Sequence, residues 1–227
     1  SSTTCGNVAI GYQAAYNQSS GKCNVVIGCR AMYNSAGGCE FVAVGHKAGY
    51  SNNAHFNTAI GSCALYSNTT GTGNLAVGHC SLYASVTSNN NVAVGDEAIR
   101  NNTTGCSNVA LGQGALQVNT EGAHNQAMGT ETLKSNTTGS YNVGIGTEAL
   151  RTNSTGTNNI AIGHLAMYAN NNTGSNIAIG SCALYSNEAN ANTVVGSCAM
   201  LNNTSGYYNT ALGYHALQDN DSGNNNT

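Results

Sequence analysis

The sequence lacks most of the side chains that a compact globular core needs. Its 227 residues include no Trp, no Pro and two Phe, and 7% of them are charged. A globule of this length fills its core with large side chains. Disordered chains are usually rich in charge or Pro and poor in regular apolar positions, which this chain has. The composition therefore favours a thin structure of small residues in which each layer packs on the next.

The scarcity of charge and of long apolar runs excludes two further classes of protein. The six Lys and Arg residues are scattered and the formal net charge is −3, so nucleic-acid binding has no electrostatic support. No apolar run approaches the ~20 residues of a membrane-spanning helix. The first residues, Ser1 to Thr4, have neither the charged nor the apolar region of a signal peptide. We expect no nucleic-acid partner and no membrane span.

One repeat accounts for nearly the whole chain. The motif Asn-x-Ala-(Ile/Val/Leu)-Gly recurs thirteen times with a 17-residue step, which is one residue shorter in two places. The first residue of each copy, position 1 of the repeat, is Asn7, Asn24, Phe41, Asn57, Asn74, Asn91, Asn108, Asn125, Asn142, Asn159, Asn176, Asn192 or Asn209. This regularity predicts an architecture in which each copy is one structural unit.

Each position of the repeat has its own chemistry. Position 3 is Ala in ten copies, position 4 is a large apolar residue, position 8 is Ala in eleven copies, and positions 11 to 17 are polar. Position 9 is usually Leu, Met or Ile. Position 5 is always Gly, at Gly11, Gly28, Gly45, Gly61, Gly78, Gly95, Gly112, Gly129, Gly146, Gly163, Gly180, Gly196 and Gly213. We expect this Gly to form a corner with positive φ or a close backbone approach.

The repeat predicts an all-β fold, a parallel β-solenoid or β-roll of about thirteen 17-residue coils. Its Val-Ala-Ile stretch alternates large and small side chains with the period of a strand. Each coil is expected to contain this strand, the Gly corner, a second short strand at positions 8 and 9, and a polar return loop. Stacking at ~4.8 Å predicts a single shaft over residues 1–227, on the order of 60 Å long. Because the chain begins and ends within a repeat, we expect a segment of a longer fibre.

The stacked coils place equivalent side chains in columns. Positions 4 and 9 are expected to form an aliphatic seam inside the coil. The small residues of positions 3 and 8 are expected to form an outer face that packs on another chain, which predicts a homo-oligomer. Asn at position 1 is expected to form an amide ladder between turns. The Tyr residues at position 10 of five consecutive turns either stabilise one another by stacking, which we favour, or form a ligand platform.

The unit that runs from Asn57-Thr58-Ala59-Ile60-Gly61 through Ala64-Leu65-Tyr66 to Gly71 resembles repeats of phage and bacterial tail-fibre-like proteins. It is also similar to the Val-Ala-Ile-Gly head repeats of trimeric autotransporter adhesins, although it is longer than the usual adhesin coil. The resemblance covers almost all of the chain. It implies a left-handed parallel β-roll that assembles as a trimer.

The cysteines predict disulfides between neighbouring turns. Nine Cys residues are unusual for a cytosolic structural protein. Position 7 carries Cys in two pairs of adjacent turns, and ~4.8 Å lies within the Cα separation that a disulfide accepts. The candidates are Cys63 with Cys80, Cys182 with Cys198, and Cys23 with either Cys5 or Cys39. The alternative is that these residues are small buried thiols that fill the coil.

Asn-x-Ser/Thr triplets are dense in the return loop. The candidates for N-glycosylation are Asn17, Asn68, Asn102, Asn136, Asn153, Asn171, Asn203 and Asn220. Covalent glycans at these residues would line one edge of the solenoid. The alternative is that Asn-Thr-Gly sequences serve only to make turns.

These features favour a structural subunit or shaft segment of a fibre that is extracellular, on a cell surface or in a virion. Self-association is expected, as a homo-oligomer such as a trimer or as a head-to-tail filament. The alternative is an adhesin that binds glycans or host surfaces through its lateral face. Position 10 does not keep one residue type through all turns, which favours the shaft. Ice binding is less favoured, because the adjacent Thr69 and Thr70 point to opposite sides of an extended segment.

The sequence offers few candidates for catalysis or metal binding. His46, His79 and His164 share position 6 but lie in non-adjacent turns, so we expect no metal site. Asp96 and Glu97 are adjacent and are expected on opposite sides of a strand. Because no Ser-His-Asp arrangement can be assigned, we expect neither an enzyme nor a cofactor.

Overall fold

The structure is a computed structural model that describes residues 6–170 and 172–227. Over these residues the chain is all-β without a helix, and its strands pair in parallel with their counterparts one repeat away, as in a β-solenoid. The predicted fold class is confirmed. The chain divides into two compact units, Ser1–Gln113 and Gly114–Thr227. The handedness of the coil and the single shaft stay predictions.

The first unit contains one parallel sheet of three-residue strands. They are β1 (Val8–Ile10), β2 (Val25–Ile27), β3 (Val42–Val44), β4 (Thr58–Ile60), β5 (Leu75–Val77), β6 (Val92–Val94) and β7 (Val109–Leu111). Each strand pairs with the next in sequence, so that Val8 lies opposite Val25 and Val92 opposite Val109. Every repeat position therefore stacks on the same position of the neighbouring turn.

The second unit repeats this arrangement and adds a small second sheet. The strands of the first kind are β8 (Gln126–Met128), β9 (Val143–Ile145), β10 (Ile160–Ile162), β12 (Ile177–Ile179), β14 (Thr193–Val195) and β16 (Thr210–Leu212). The second sheet consists of β11 (Ala169–Asn170), β13 (Ser186–Asn187) and β15 (Asn202–Asn203), which lie at positions 11 and 12.

Positions 8 and 9 form turns, so the second strand predicted there is wrong. Position 7 and position 9 are both left-handed, with φ of +52° at Cys80 and +48° at Leu82. The N–H of Cys80 donates to Ser62 O of the preceding turn (2.9 Å), and that of Leu82 donates to Ala98 O of the following turn (3.1 Å). The left-handed residues at positions 7 and 9 bend the chain into a turn. The N–H at position 7 still bonds to the preceding turn, and the N–H at position 9 bonds to the following turn. The period of two of these left-handed residues is what resembles a strand in the sequence.

The strands also face the opposite way from the prediction. Ala at position 3 is buried, as in Ala43, Ala59 and Ala93, whereas the large residues of position 4 are exposed or half-exposed, as in Ile60 at 39%. The aliphatic seam predicted from positions 4 and 9, and the small outer face predicted from positions 3 and 8, are therefore wrong. The interior of so short a coil is narrow. It holds one large side chain per turn only if the strand turns its small side chain inward.

That one large side chain is at position 9. Met32, Leu65, Leu82, Ile99, Leu116, Leu133, Leu150, Met167, Leu184 and Met200 are all fully buried. Burying such a side chain stabilises a fold by about 1.5–3 kcal/mol relative to leaving it exposed. One seam of stacked Leu, Met and Ile thus provides most of the hydrophobic core, with Ala from positions 3 and 8 around it.

Two columns of buried Asn complete the interior. At position 1, Asn57 Oδ1 accepts the backbone N–H of Asn74 in the next turn (2.8 Å), and Asn57 Nδ2 donates to Gly71 O of its own turn (2.8 Å). At position 12, Asn136 Nδ2 donates to Asn119 Oδ1 (2.8 Å) and to the carbonyl of Gly139 (2.9 Å). Because buried amides are costly unless hydrogen-bonded, each Asn requires the one in the next turn. The Asn ladder expected at position 1 is present, together with a second one at position 12.

Candidate functional site

The Gly corner lies where the backbones of consecutive turns approach each other closely. All thirteen position-5 glycines have φ between +121° and +143°. A Cβ on Gly95 would lie 2.5 Å from Gly112 O, which is backbone and does not move aside. Only Gly fits this conformation and this space together. The corner is a structural site that keeps the turns in contact.

The outer side of the strands forms an exposed, mainly apolar surface, which we call the aliphatic face. It consists of the first and third residues of every three-residue strand, in each unit separately. None of these residues is fully buried, and exposures are 38% at Leu111 and 37% at Ile145. None of them is charged. The face therefore presents in-register columns of mostly Val, Ile and Leu that the fold itself leaves uncovered. The other residues in these columns are Thr58, Gln126, Met128, Thr193 and Thr210.

Five Tyr rings, one at position 10 of each of five consecutive turns, form a continuous stack. Tyr16, Tyr33, Tyr50, Tyr66 and Tyr83 follow one another with centroids 4.9–5.3 Å apart and ring planes within 15°. The guanidinium of Arg100 lies 6.0 Å from the ring of Tyr83 at one end. Burial, and then the neighbouring Tyr rings, raise the pKa of Tyr66, so its phenol is neutral over the physiological range. Stacking covers the faces of the inner rings, as expected of a stabilising column.

A Cys-His-Asp arrangement lies at positions 6 and 7 of two adjacent turns. The Sγ of Cys80 is 3.3 Å from His79 Nε2, and His79 Nδ1 is 2.9 Å from Asp96 Oδ1. Sequence reasoning missed this contact because it compared His only with His. The signal was present, since His79 and Asp96 occupy the same repeat position in consecutive copies.

The chain matches no protein-family model, no curated protein and no solved structure. The resemblance to tail-fibre repeats and adhesin heads therefore stays a prediction that rests on the repeat motif.

The position-7 cysteines lie in the columns that were predicted. Cys80 N bonds to Ser62 O and Cys198 N bonds to Ser181 O, both at 2.9 Å, which brings each Cys next to its predicted partner, Cys63 or Cys182. All of the described cysteines are free thiols in the structure. The two disulfides stay predictions that the backbone placement permits.

The loop cysteines are less well aligned. Cys39 occupies position 16, and its Sγ accepts the backbone N–H of Lys22 at 3.3 Å. Cys23 occupies the next position, with φ of +58°, so Cys23 and Cys39 stand in adjacent columns. Cys5 lies outside the described residues.

The sequon residues at position 12 point into the coil rather than out of it. Those that are fully buried are Asn68, Asn102, Asn136, Asn153 and Asn203. N-glycosylation modifies Nδ2, the atom that in Asn153 donates to Asn136 Oδ1 and Gly156 O at 3.3 and 3.1 Å. A glycan on these residues is incompatible with the ladder, and we do not propose one. Asn17 is exposed, Asn220 is half-buried, and Asn171 lies outside the described residues.

A small ion-pair cluster lies on the second unit. Glu131 accepts hydrogen bonds from Lys134 Nζ (2.6 Å) and Arg151 Nε (2.8 Å). These two bonds, first that of Lys134, hold the pKa of Glu131 below its usual value. Arg151 also lies over Tyr168 at 5.7 Å and donates to its hydroxyl at 3.1 Å. The cluster thus ties three successive turns together across positions 7 and 10.

The described residues contain neither a membrane-spanning helix nor a metal-binding cluster. None of their segments is a helix long and apolar enough to cross a membrane. No group of three or more His, Cys, Asp or Glu side chains among them is arranged to hold a metal ion.

Proposed function

We propose that the chain is a structural, self-associating segment of a fibre that is extracellular, on a cell surface or in a virion. The observation that carries the proposal is the aliphatic face. Soluble monomers rarely expose contiguous apolar surface of this kind, and such patches usually mark an interaction site. The same face replaces the small-residue face as the candidate oligomer interface.

A second copy of the same chain is the partner that this face fits. The face carries no charge with which to select a charged partner. Its columns repeat in register, as Val92 does on Val109, so the face is complementary to another copy of itself. Isologous contact between identical patches is the commonest way in which soluble chains assemble. Stacked β-branched residues also lose little side-chain freedom when they are covered.

The Tyr stack supports the structural role rather than an adhesive one. A sugar that packs on an aromatic ring needs an exposed ring face. Here the faces of Tyr33, Tyr50 and Tyr66 are covered by their neighbours on both sides. The stack therefore stabilises the packing of each turn on the next, by about 0.5–1.5 kcal/mol per ring pair.

Sedimentation velocity of the intact chain over a range of concentrations tests the proposal. We expect the wild type to assemble, and Val92→Lys to shift the assembly toward monomer because a charge is then buried at the interface. Val92→Thr keeps the shape and the strand propensity, and is expected to weaken assembly less. Thr138→Lys adds the same charge at an exposed loop residue and is the matched control.

The two possible failures are distinct. A wild type that stays monomeric at high micromolar concentration would overturn the proposal. So would equal assembly of Val92→Lys and Thr138→Lys, since the aliphatic face would then not be the interface. Circular dichroism of each variant establishes that the fold is retained. The mass of the assembly counts the chains.

A further inference from the structure

We propose that Cys80, with His79 as its base and Asp96 as the orienting carboxylate, is a nucleophilic thiol that exchanges with low-molecular-weight disulfides, and that Cys63 resolves the product. The inference goes beyond the fibre role and does not depend on it.

The hydrogen bonds fix the roles of the two His79 nitrogens. Asp96 Oδ1, 2.9 Å from Nδ1, is an acceptor when ionised, so Nδ1 carries the proton. Nε2 then keeps its lone pair toward the Cys80 thiol at 3.3 Å. Nucleophile, base and orienting group are in contact in the order that nucleophilic catalysis needs. The His79 and Asp96 side chains are 59% and 51% exposed, so solvent and small molecules reach the group.

Cys80 differs from the other position-7 cysteines in having an imidazole beside it. The Sγ atoms of Cys63, Cys182 and Cys198 instead contact the hydroxyl of the preceding Ser, at 3.8–3.9 Å. A Ser hydroxyl does not accept a proton at neutral pH, whereas a neutral His does. Position 7 therefore provides one cysteine with a neighbouring base, Cys80, and three cysteines whose neighbour is Ser.

The charges around Cys80 favour a thiol that is deprotonated only as it reacts. Burial, and then Cys63, raise the pKa of Cys80, Arg100 opposes this, and Glu97 and Asp96 add to it. A thiol of raised pKa is more nucleophilic once its proton is removed. His79 is positioned to remove that proton, because its Nε2 lies 3.3 Å from the Cys80 Sγ.

The chemistry balances as two thiol–disulfide exchanges. Cys80 transfers its proton to His79 Nε2, and its sulfur attacks a small disulfide RSSR. The S–S bond breaks, and the leaving RS⁻ takes up the proton as RSH. Cys63 then loses its proton to the base and attacks the Cys80 sulfur, which releases the second RS⁻, protonated to RSH. The net change is oxidation of two thiols to the Cys63–Cys80 disulfide and reduction of RSSR to two RSH.

The second thiol, Cys63, favours thiol–disulfide exchange over other nucleophilic chemistry. Cys63 lies at position 7 of the preceding turn, and the backbone N–H of Cys80 donates to Ser62 O at 2.9 Å. Turns stacked at about 4.8 Å place Cys63 and Cys80 within the Cα separation that a disulfide accepts. A hydrolase has no use for a thiol at that place, whereas a resolving thiol must be there.

The test is a timed pulse of the fully reduced, intact chain with oxidised glutathione at pH 7, followed by acid quench and peptide mass spectrometry. We expect Cys80 to be modified on the order of 10- to 100-fold faster than Cys182 and Cys198 in the same molecule. The Cys63–Cys80 disulfide then follows. In Cys63→Ser the glutathione adduct is expected to stay on Cys80.

His79→Gln and Asp96→Asn separate the base from a structural role. His79→Gln is expected to slow Cys80 to the rate of Cys182, and Asp96→Asn to slow it less. The pH dependence of the Cys80 reaction rate should change in His79→Gln, while that of Cys182 stays unchanged. Equal rates at Cys80 and Cys182, first modification at Cys63, or an unchanged rate in His79→Gln would each overturn the proposal.

Discussion

The ring of Phe41 fills the space that a side chain on Gly49 would occupy. A Cβ built on Gly49 would overlap Phe41 Cζ, and Phe41 is fully buried. In this turn position 1 is Phe instead of Asn, and position 9 is Gly instead of Leu, Met or Ile. These two departures from the repeat compensate each other. The large buried side chain that position 9 lacks in this turn is supplied by position 1.

This exchange predicts compensation between two substitutions. Phe41→Asn removes a buried ring and is expected to lower the free energy of unfolding by about 3–5 kcal/mol. Gly49→Leu overpacks the same space and is expected to cost about 1–3 kcal/mol or more. The double variant restores the pattern of the other turns, and should lie within about 1 kcal/mol of the wild type. Urea unfolding of all four proteins measures the coupling, and additive losses would show that the two sites are independent.

The Gly corner predicts a severe effect of one methyl group. Gly95→Ala places a Cβ 2.5 Å from Gly112 O at φ +139°, so we expect a loss above about 4 kcal/mol or failure to fold. Gly114→Ala is the control, because its Cβ would meet Glu131 Cγ at 3.7 Å and its φ is +63°. That variant should lose about 1 kcal/mol. Equal melting temperatures of the two variants would contradict the steric argument.

The buried Asn ladder predicts that position 12 tolerates substitution poorly. Asn136→Ala removes the donor to Asn119 Oδ1 and Gly139 O and the acceptor for Asn153 Nδ2. We expect a loss of about 2–4 kcal/mol, since buried partners are left unpaired. The control is Asn202→Ala, an exposed Asn at position 11, with an expected change within about 0.5 kcal/mol. Chemical unfolding of both variants, monitored by circular dichroism, measures the two changes in the free energy of unfolding.

Glu131 predicts a small stabilisation that depends on pH. Its pKa is lowered in the folded state by Lys134 and Arg151, so it stabilises the fold above its unfolded pKa and loses this effect as the pH falls through the folded pKa. At pH 7 we expect Glu131→Gln to cost less than about 1 kcal/mol, because the group is partly exposed. The difference from wild type should shrink as the pH falls below the ordinary value of 4.5.

Thermal unfolding of both proteins between pH 3 and pH 7 measures this. Glu148→Gln is the control, since its oxygen is 3.9 Å from Arg151 Nε. A constant difference across the pH range would show that the effect of Glu131→Gln is steric rather than electrostatic.

The fold was predictable because the repeat constrains it at every turn. The constant step of the repeat, the invariant Gly and the Asn of position 1 all follow from the requirement that equivalent positions stack. The direction of the strand was not predictable in the same way. An alternation such as Val92-Ala93-Val94 is equally consistent with large side chains inside or outside, and only the width of the coil decides. One of the two buried Asn columns, at position 12, lies in what the sequence shows as a polar return loop, so its inward side chains were not predicted.

The contact between His79 and Asp96 could have been predicted from the sequence. Once the step is known, any two residues one step apart are neighbours, and the search has to compare different residue types at one position. The turn at positions 8 and 9 was out of reach, because left-handed φ at Leu and Cys residues has no signature in their chemistry. Non-Gly residues with positive φ are uncommon in proteins generally. Here the stacked hydrogen bonds impose them on every turn.

The stacking of each turn on the next has a consequence for how this chain folds. The pairs that hold it together, from Val8 with Val25 to Thr193 with Thr210, are separated by one step of the repeat. One such step, in a chain of 227 residues, gives a relative contact order of about 0.07, the range of helical bundles rather than of β-sandwiches. Each new turn closes a short loop on a template that already exists. An all-β chain of this design is expected to assemble turn by turn as it emerges from the ribosome, at the speed of a helical protein.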